Sequence, residues 1–564
     1  MVSVLWLGAC LLQPAGAAEA PVRLNQAGYR PNAPKIAVVV ATLPVSAFTV
    51  REASTGKVAF TGIAGTPARE ADSGDTVQVL DFSALNKPGR YFIESGGLAK
   101  SWQFTIAPDV YSRPFYLAMR SFYGQRCGMA VDLGAEFPGY KYEACHLAGA
   151  WHSSSGKQGA APSSKGWHDA GDYGRYIVNS GITTGTLLWA WELYGSKLAK
   201  VDLRIPESGN KTPDMLDEIR WNLEWMQTLQ DAADGGVWHK QTTERFSGFV
   251  MPEADKAPSV IIGTASEPFK STCATADFAA VMAIAARAYK PFDARFADKS
   301  RKAAEAAWTW AVAHPAVVFN NPPGVATGGY GDRNCGDELL WASAELWRTT
   351  GLKPYHDYFA AHAREFMGTL RATEPQSWAN VAPLALWAYA LDKRGDAELA
   401  AAIRKAALAA ADSIVARTAA NPYRTSMTAR DYIWGSNAVA ANYGMQLLVA
   451  NALQADPRYV ETALDNLHYL LGRNTFSLSW VTQLGENPYR HPHHRPSGAD
   501  KNAEPWPGLL SGGPNQRPQD PAMKKIPAGT PPARMFIDDQ ESYASNEIAI
   551  NWNAPLVFLL AGVM

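Results

Sequence analysis

The chain has 564 residues, more than one ordinary core organises, so at least two domains are expected. Hydrophobic residues make up 47% and charged residues 19%, which excludes a disordered chain. A net charge of -1 without a basic stripe excludes the electrostatic footprint of a nucleic-acid binder. At the start, an apolar run from Val2 to Leu12 precedes Ala15-Gly16-Ala17-Ala18. That is the pattern of an export signal over residues 1–20, too short to span a bilayer. Leu7-Gly8-Ala9-Cys10 also reads as a lipoprotein box, so a periplasmic or secreted protein is expected, with lipid anchoring at Cys10 as the alternative. No later segment is long and apolar enough to cross a membrane.

Residues 21–107 read as β. Ile36–Val40, Phe48–Val50, Val77–Leu80 and Tyr91–Ile93 are short strand candidates, separated by turn residues such as Ser54-Thr55-Gly56-Lys57 and Lys87-Pro88-Gly89. This spacing predicts a small immunoglobulin-like sandwich. Pro108 to Pro114 is the junction, and residues 108–564 form the second domain. There, Leu117–Tyr123, Met215–Leu229, Ala274–Tyr289, Glu338–Thr349 and Pro383–Leu391 carry apolar residues at helical spacing, and Pro383 suits a first helical position. Long Ala-rich stretches with little β signal predict a ring of paired helices. Pro488 to Arg534 is rich in Pro, Gly and Asn and far longer than an ordinary connection, which marks a functional loop.

Two acidic motifs stand nearly at opposite ends of the chain. One is Trp167-His168-Asp169-Ala170-Gly171-Asp172-Tyr173-Gly174. The other runs from Asp538-Asp539-Gln540-Glu541 through Ser545-Asn546-Glu547 to Trp552-Asn553-Ala554-Pro555. If the fold closes into a ring, the two meet across a cleft. Opposed carboxylates can hydrolyse a glycosidic bond, one activating water and one protonating the leaving sugar. Taken alone, Asp169 and Asp172 would read as an N-cap and a first-turn acid of a helix. The 19 Trp residues allow either stacking platforms for sugar rings or helix-packing core.

The motifs match a known family in order. They are Trp167–Tyr176, Thr212–Glu218, Ala274–Ala280, Asp337–Ala342, Asn487–Pro496 and Asp538–Pro555. Over residues 110–560 the chain resembles glycoside hydrolase family 9, the inverting β-1,4-glucanases, in the subgroup with an N-terminal immunoglobulin-like domain. The resemblance implies an (α/α) barrel of six helical hairpins. It implies Asp172 as general base, Asp169 as the companion that helps hold the water, and Glu547 as general acid. Such an acid needs a raised pKa, and the two carboxyls of an inverting enzyme stand roughly 6.5–9.5 Å apart.

The same resemblance places His493 and Arg495 on sugar hydroxyls, although a His-rich loop also suits a metal. It puts Trp552 in the cleft. Trp378 and Trp434 are stacking candidates or helix core, and Asp539 is taken as a further substrate contact. Glu541 is assigned no role. Cys127, Cys145, His146 and His168 allow a closed zinc site or a Cys127–Cys145 disulfide. The resemblance favours a structural zinc. It also implies calcium on Asp337 and Glu338, where helix capping is the alternative reading. Cys273 and Cys335 are expected as free core thiols.

A hydrolase acting on cellulose or a related β-glucan is the leading expectation. An exo-acting enzyme on cello- or glucosamine oligosaccharides is a second reading, a non-catalytic glucan-binding surface protein a third. A polysaccharide lyase on a similar helical barrel would want basic residues and acidic-sugar contacts, and the paired carboxylates argue against it. A monomer without organic cofactor is expected.

Overall fold

The computed structural model describes residues 20–564; the apolar run at Val2–Leu12 and Cys10 lie outside the described residues. Nine short strands come first. They are β1 (Val22–Arg23), β2 (Gly28–Tyr29), β3 (Ile36–Val40), β4 (Ala47–Glu52), β5 (Val58–Ile63), β6 (Ala68–Arg69), β7 (Thr76–Asp81), β8 (Gly89–Ser95) and β9 (Phe104–Ile106). They make two sheets, ordered β1-β3-β7-β6 and β2-β9-β8-β4-β5. Alternation builds the core between them: on β4, Phe48 and Val50 are buried while Thr49 and Arg51 are not. The four predicted strand segments all lie within strands. The edge strand β5 buries no residue, so it carries no two-residue pattern to find.

The rest is mainly helical, with short strands in the connections, among them Arg175–Tyr176 and Lys240–Thr242. The outer helices are α1 (Ser112–Gly124), α3 (Asp214–Thr228), α5 (Ala294–Ala313), α7 (Lys353–Phe366), α9 (Ala397–Ala420) and α11 (Pro457–Leu470). They alternate along the chain with inner helices α2 (Ile177–Leu198), α4 (Thr272–Tyr289), α6 (Gly336–Thr350), α8 (Ala382–Leu391), α10 (Ser436–Leu453) and α14 (Ile550–Val563). The short helices α12 (Arg495–Ala499) and α13 (Tyr543–Asn546) lie between α11 and α14.

Inner helices touch in the order α2, α4, α6, α8, α10, α14 and back to α2, closing a barrel of six hairpins. The burial explains the two kinds. On α4 every residue but Arg287 is buried, whereas α5 buries a stripe that includes Phe296, Ser300, Ala304, Ala307 and Ala311. Pro383 sits in the first turn of α8, one position later than predicted, where a missing N–H costs nothing.

One sequence expectation fails here. Cys273 and Cys335 are not free thiols but a disulfide joining the starts of α4 and α6, their Cα atoms 4.8 Å apart. A separation of 62 residues gives no hint of that proximity; only the ring closure creates it.

The sandwich is docked on the barrel through Asp75. Its carboxylate accepts bonds from Arg23 (3.1 Å), Tyr423 (2.6 Å), Thr475 (2.9 Å) and Arg534 (2.8 Å). Burial opposes ionisation there, but the bonds from Tyr423 and Arg534 and the charge of Arg23 hold the carboxyl below its ordinary range. The same turn accepts the Ala533 N–H on the Asp72 carbonyl at 2.9 Å, so the sandwich also grips the end of the long loop.

Candidate active site

Three backbone segments interlock at one end of the barrel. Residues 169–172 precede the short strand Arg175–Tyr176 and the start of α2. The reading of these acids as a helix cap fails, because both lie upstream of the first turn, whose N-cap is Tyr176. The Asp169 carbonyl accepts from Ile550 N–H at 2.8 Å, and Ala170 pairs with Ala549. The Gly171 carbonyl accepts from Arg495 N–H at 3.0 Å, and His493 N–H donates to the Asn546 carbonyl at 2.9 Å. Gly171 is required: a Cβ there would meet the His493 carbonyl oxygen at 2.1 Å. The long loop closes the arrangement, with Gly512 N–H donating to the Glu547 carbonyl at 2.7 Å. Sequence-distant carboxylates therefore meet because main-chain bonds tie their segments together.

The segments surround a cavity of about 780 Å³. Asp169, Asp172 and Glu547 all line it, together with His493, Arg495, Trp378, Trp434 and Trp552. Asp169 is buried; Asn179 Nδ2 donates to its Oδ1 at 2.6 Å and the Tyr330 hydroxyl to its Oδ2 at 2.7 Å. Burial first, and the charge of Asp172 second, push its carboxyl up to about 8 against those two bonds. Asp172 Oδ2 accepts from Gly174 N–H at 2.8 Å, an Asx turn, and from the Tyr176 hydroxyl at 3.4 Å. Glu547 is raised well above the usual carboxylate range by burial, then by the negative charges of Asp172 and Asp169, with Arg495 opposing. Burial and the two neighbouring negative charges both favour its protonated form, as a general acid requires.

His493 donates Nδ1–H to the Gln540 carbonyl at 2.7 Å, which leaves Nε2 as an acceptor. Burial lowers its pKa and keeps the ring neutral. His494 bonds Gln125 and Ser497 through its two nitrogens, so the histidine loop is engaged by protein rather than gathered for a metal. Arg495 donates Nε–H to the Ser247 carbonyl at 2.8 Å and lies over Phe246 and Phe249. Trp378 meets Tyr330 edge-on at 5.2 Å, and Trp434, 39% exposed, packs on Tyr543. Asp539 is not among the lining residues: its carboxylate accepts the Glu541 N–H at 2.9 Å and caps a turn. Its neighbour Asp538 takes bonds from Arg490, His491 and Asn546 and holds the loop to the Glu547 segment.

Tyr330, Tyr176, Asn179, Phe246, Tyr543 and Asn551 were missed. Tyr176, Tyr543 and Asn551 lie within the quoted motifs but were given no role there, and Tyr330 stands outside them as an aromatic between glycines in Gly328-Gly329-Tyr330-Gly331. Its φ of +43° is strained for a bulky residue, and the strain delivers its hydroxyl to Asp169.

The donor atoms of Cys127, Cys145, His146 and His168 lie within 4.8 Å of one another, and the two sulfurs are unbridged. His146 Nε2 is 3.4 Å from Asp255, while its buried Nδ1 and that of His168 lack protein partners. Burial opposes thiolate formation at Cys127, but the Cys145 thiol and the positive charges of Arg175 and His168 pull it down. Two sulfurs and two imidazoles, one steadied by a carboxylate, fit a tetrahedral zinc.

Asp337 and Glu338 lie in the first turn of α6, whose N-cap Cys335 makes no side-chain cap. Asp337 accepts the Val381 N–H at 2.8 Å, whereas both carboxylate oxygens of Glu338, and both of buried Asp277, lack partners. Hard oxygen donors of this kind fit a divalent cation.

The family model described as Glycosyl hydrolase family 9 matches residues 111–560, and that of the Cellulase N-terminal ig-like domain matches residues 17–100. The chain belongs to glycosyl hydrolase family 9, and membership makes it a glycoside hydrolase that cleaves β-1,4-glucosidic bonds with inversion of configuration. It is 38% identical over 548 residues to Endoglucanase D of Acetivibrio thermocellus, covering 96% of this chain and 83% of that one. It is 36% identical over 577 residues to the xyloglucan-specific endo-beta-1,4-glucanase of Bacteroides ovatus, covering 96% and 93%. Among solved structures, the Zn-binding triple mutant of GH family 9 endoglucanase J30 superposes with a TM-score of 0.87 at 34% identity, covering 94% of this chain and 99% of that one.

Proposed function

We propose that this chain is an endo-acting, exported β-1,4-glucanase in which Asp172 is the general base and Glu547 the general acid. One observation carries the assignment: Glu547 feels two aspartates from the opposite end of the chain inside one aromatic-lined cavity. In the step, Asp172 takes a proton from water as the water oxygen attacks the anomeric carbon from one face. The glycosidic C–O bond breaks on the other face, and Glu547 gives its proton to the departing oxygen. Asp169 binds a proton more readily than an ordinary aspartate, which relieves repulsion beside Asp172 and supports a role in holding the water. His493 and Arg495 line the cavity with one acceptor and one cation for sugar hydroxyls, and Trp378, Trp434 and Trp552 offer ring faces for stacking.

A zinc held by Cys127, Cys145, His146 and His168 would brace the segment that runs directly into Asp169. Calcium on Asp337, Glu338 and the neighbouring Asp277 would neutralise buried carboxylates between inner helices. Both are structural and enter no chemical step. The signal pattern before residue 20, together with the disulfide, supports export. Among the described residues no helix is long and apolar enough to cross a membrane. Soluble or amorphous glucan taken up by a monomer is the substrate proposed, with xyloglucan, the substrate in the name of the Bacteroides ovatus relative, tested beside it.

The test is proton NMR of fresh reducing ends during early hydrolysis of cellohexaose, with product lengths read alongside. New α-anomer with internal cleavage is expected. New β-anomer would overturn the roles of Asp172 and Glu547, and cleavage confined to chain ends would move the enzyme to the exo class.

A further inference from the structure

Next to the cavity, but not lining it, stands a buried lysine. Lys240 opens a strand, Lys240–Thr242, and has no exposed surface. An isolated ammonium in such a place is costly, so its partners matter. All three of its N–H donors are matched: Asn321 Oδ1 at 2.7 Å, the Gly328 carbonyl at 2.7 Å and Thr327 Oγ1 at 3.1 Å. Asn321 in turn donates to the Thr327 carbonyl at 2.7 Å. The preceding residue, His239, holds the next carbonyl, donating Nε2–H to Gly329 at 2.7 Å while its Nδ1 faces Ser271 Oγ. Its imidazole stacks on Phe319 at 3.7 Å. Two successive residues thus grip the carbonyls of Gly328 and Gly329, immediately before Tyr330. Tyr330 is the residue at φ +43° whose hydroxyl reaches Asp169.

We propose that Lys240 is a positioning residue for the reaction: its ammonium clamps the Thr327–Tyr330 turn, and so keeps the Tyr330 hydroxyl on Asp169 and the Asp169–Asp172 pair in register for the attacking water. This rests on the reading of that pair as the water-activating group. Lys240 touches no substrate. It acts through a glycine turn that would otherwise be free to relax, because Gly328 and Gly329 carry no side chains to anchor them. A left-handed Tyr is strained, and the surrounding bonds must over-determine it. The charge also lies 5.6 Å from the Tyr176 ring, whose hydroxyl bonds Asp172, so the clamp steadies both aspartates. Burial draws the ammonium down to about 7 while the charge of Asp172 opposes that fall, so the clamp is expected to weaken as pH rises above neutrality.

The experiment compares Lys240→Met, Tyr330→Phe and the double variant on cellohexaose, with kcat and KM taken per folded molecule. Lys240→Met is expected to lower kcat about 10²-fold, the scale of a misplacement near 1 Å, with KM changed less than about threefold. The double variant should lose no more than the worse single one, since both act along one path. A kcat within about twofold of wild type, a change confined to KM, or losses that multiply in the double variant would each overturn the proposal. Asn321→Ala removes one acceptor and the Asn321–Thr327 bond; should Lys240→Met not fold, this variant must show the same kcat-selective loss. Asp172→Asn, assayed in parallel, separates the failures. If it stays active the reading of the pair is wrong; if it is inactive while Lys240→Met is not, only the clamp is wrong.

Discussion

Replacing Glu547 by Gln tests the acid assignment at its most specific point. The change keeps the shape of the side chain and removes the proton it supplies. General-acid assistance contributes about 10²–10⁴-fold, so kcat on cellohexaose should fall by that factor, about 3–5 kcal/mol of barrier. The paired assay uses 2,4-dinitrophenyl β-cellobioside, whose leaving group departs as an anion without a proton. On that substrate the variant should retain most of its rate, and the alkaline limb of its pH profile should vanish, because the group that must stay protonated is gone. Stability moves the other way. The folded-state pKa of Glu547 lies above its unfolded value, so the folded chain holds a proton that the unfolded chain releases. Wild-type stability is therefore fully present below about 4.5 and declines as pH rises toward the folded pKa. Gln has no such dependence, and its advantage in chemical denaturation should grow from acid to neutral pH. Equal loss on both substrates would refute the assignment, as would an alkaline limb that survives.

Asp172→Asn should lose about 10²–10⁴-fold on both substrates, because water must be activated whatever leaves; retention on either one would refute the base assignment. Metal analysis of the purified protein should find one zinc per chain, and Cys145→Ser should lower both the zinc content and the thermal midpoint. Wild type without zinc would refute that reading. Asp75→Ala leaves the guanidinium groups of Arg23 and Arg534 without their shared carboxylate and should cost about 3–5 kcal/mol in denaturant unfolding. A change under about 1 kcal/mol would show that the sandwich docks by other means.

Much of the site was legible because its chemistry is written in short, ordered motifs. Asp169, Asp172, Glu547, His493 and Arg495 sit in segments whose residue types already demand a reason, and the structure brings them to one cavity. The helices read best where apolar spacing was strong, as on α3 and α6. Asp539 misled because one position along an irregular segment decides whether a carboxylate faces a cavity or caps a turn, and no periodicity governs that choice. Cys273 and Cys335 misled because a disulfide depends on a distance, and distance between segments belongs to ring closure.

By itself the sequence determined the division into a β sandwich and a helical ring, and it set the acidic, histidine and cysteine motifs in an order that resembles one family. Local pattern suffices for the division; the roles expected of Asp169, Asp172 and Glu547, and zinc rather than a disulfide at Cys127 and Cys145, came from the resemblance. Tertiary structure alone decided that Tyr330 and Asn179 hold Asp169, that Lys240 and His239 hold the turn behind Tyr330, and that the pKa of Glu547 is raised. Each depends on which groups burial places together, because loss of water and the nearness of other charges set a carboxyl's pKa, and neither is a property of the residue or its neighbours in sequence.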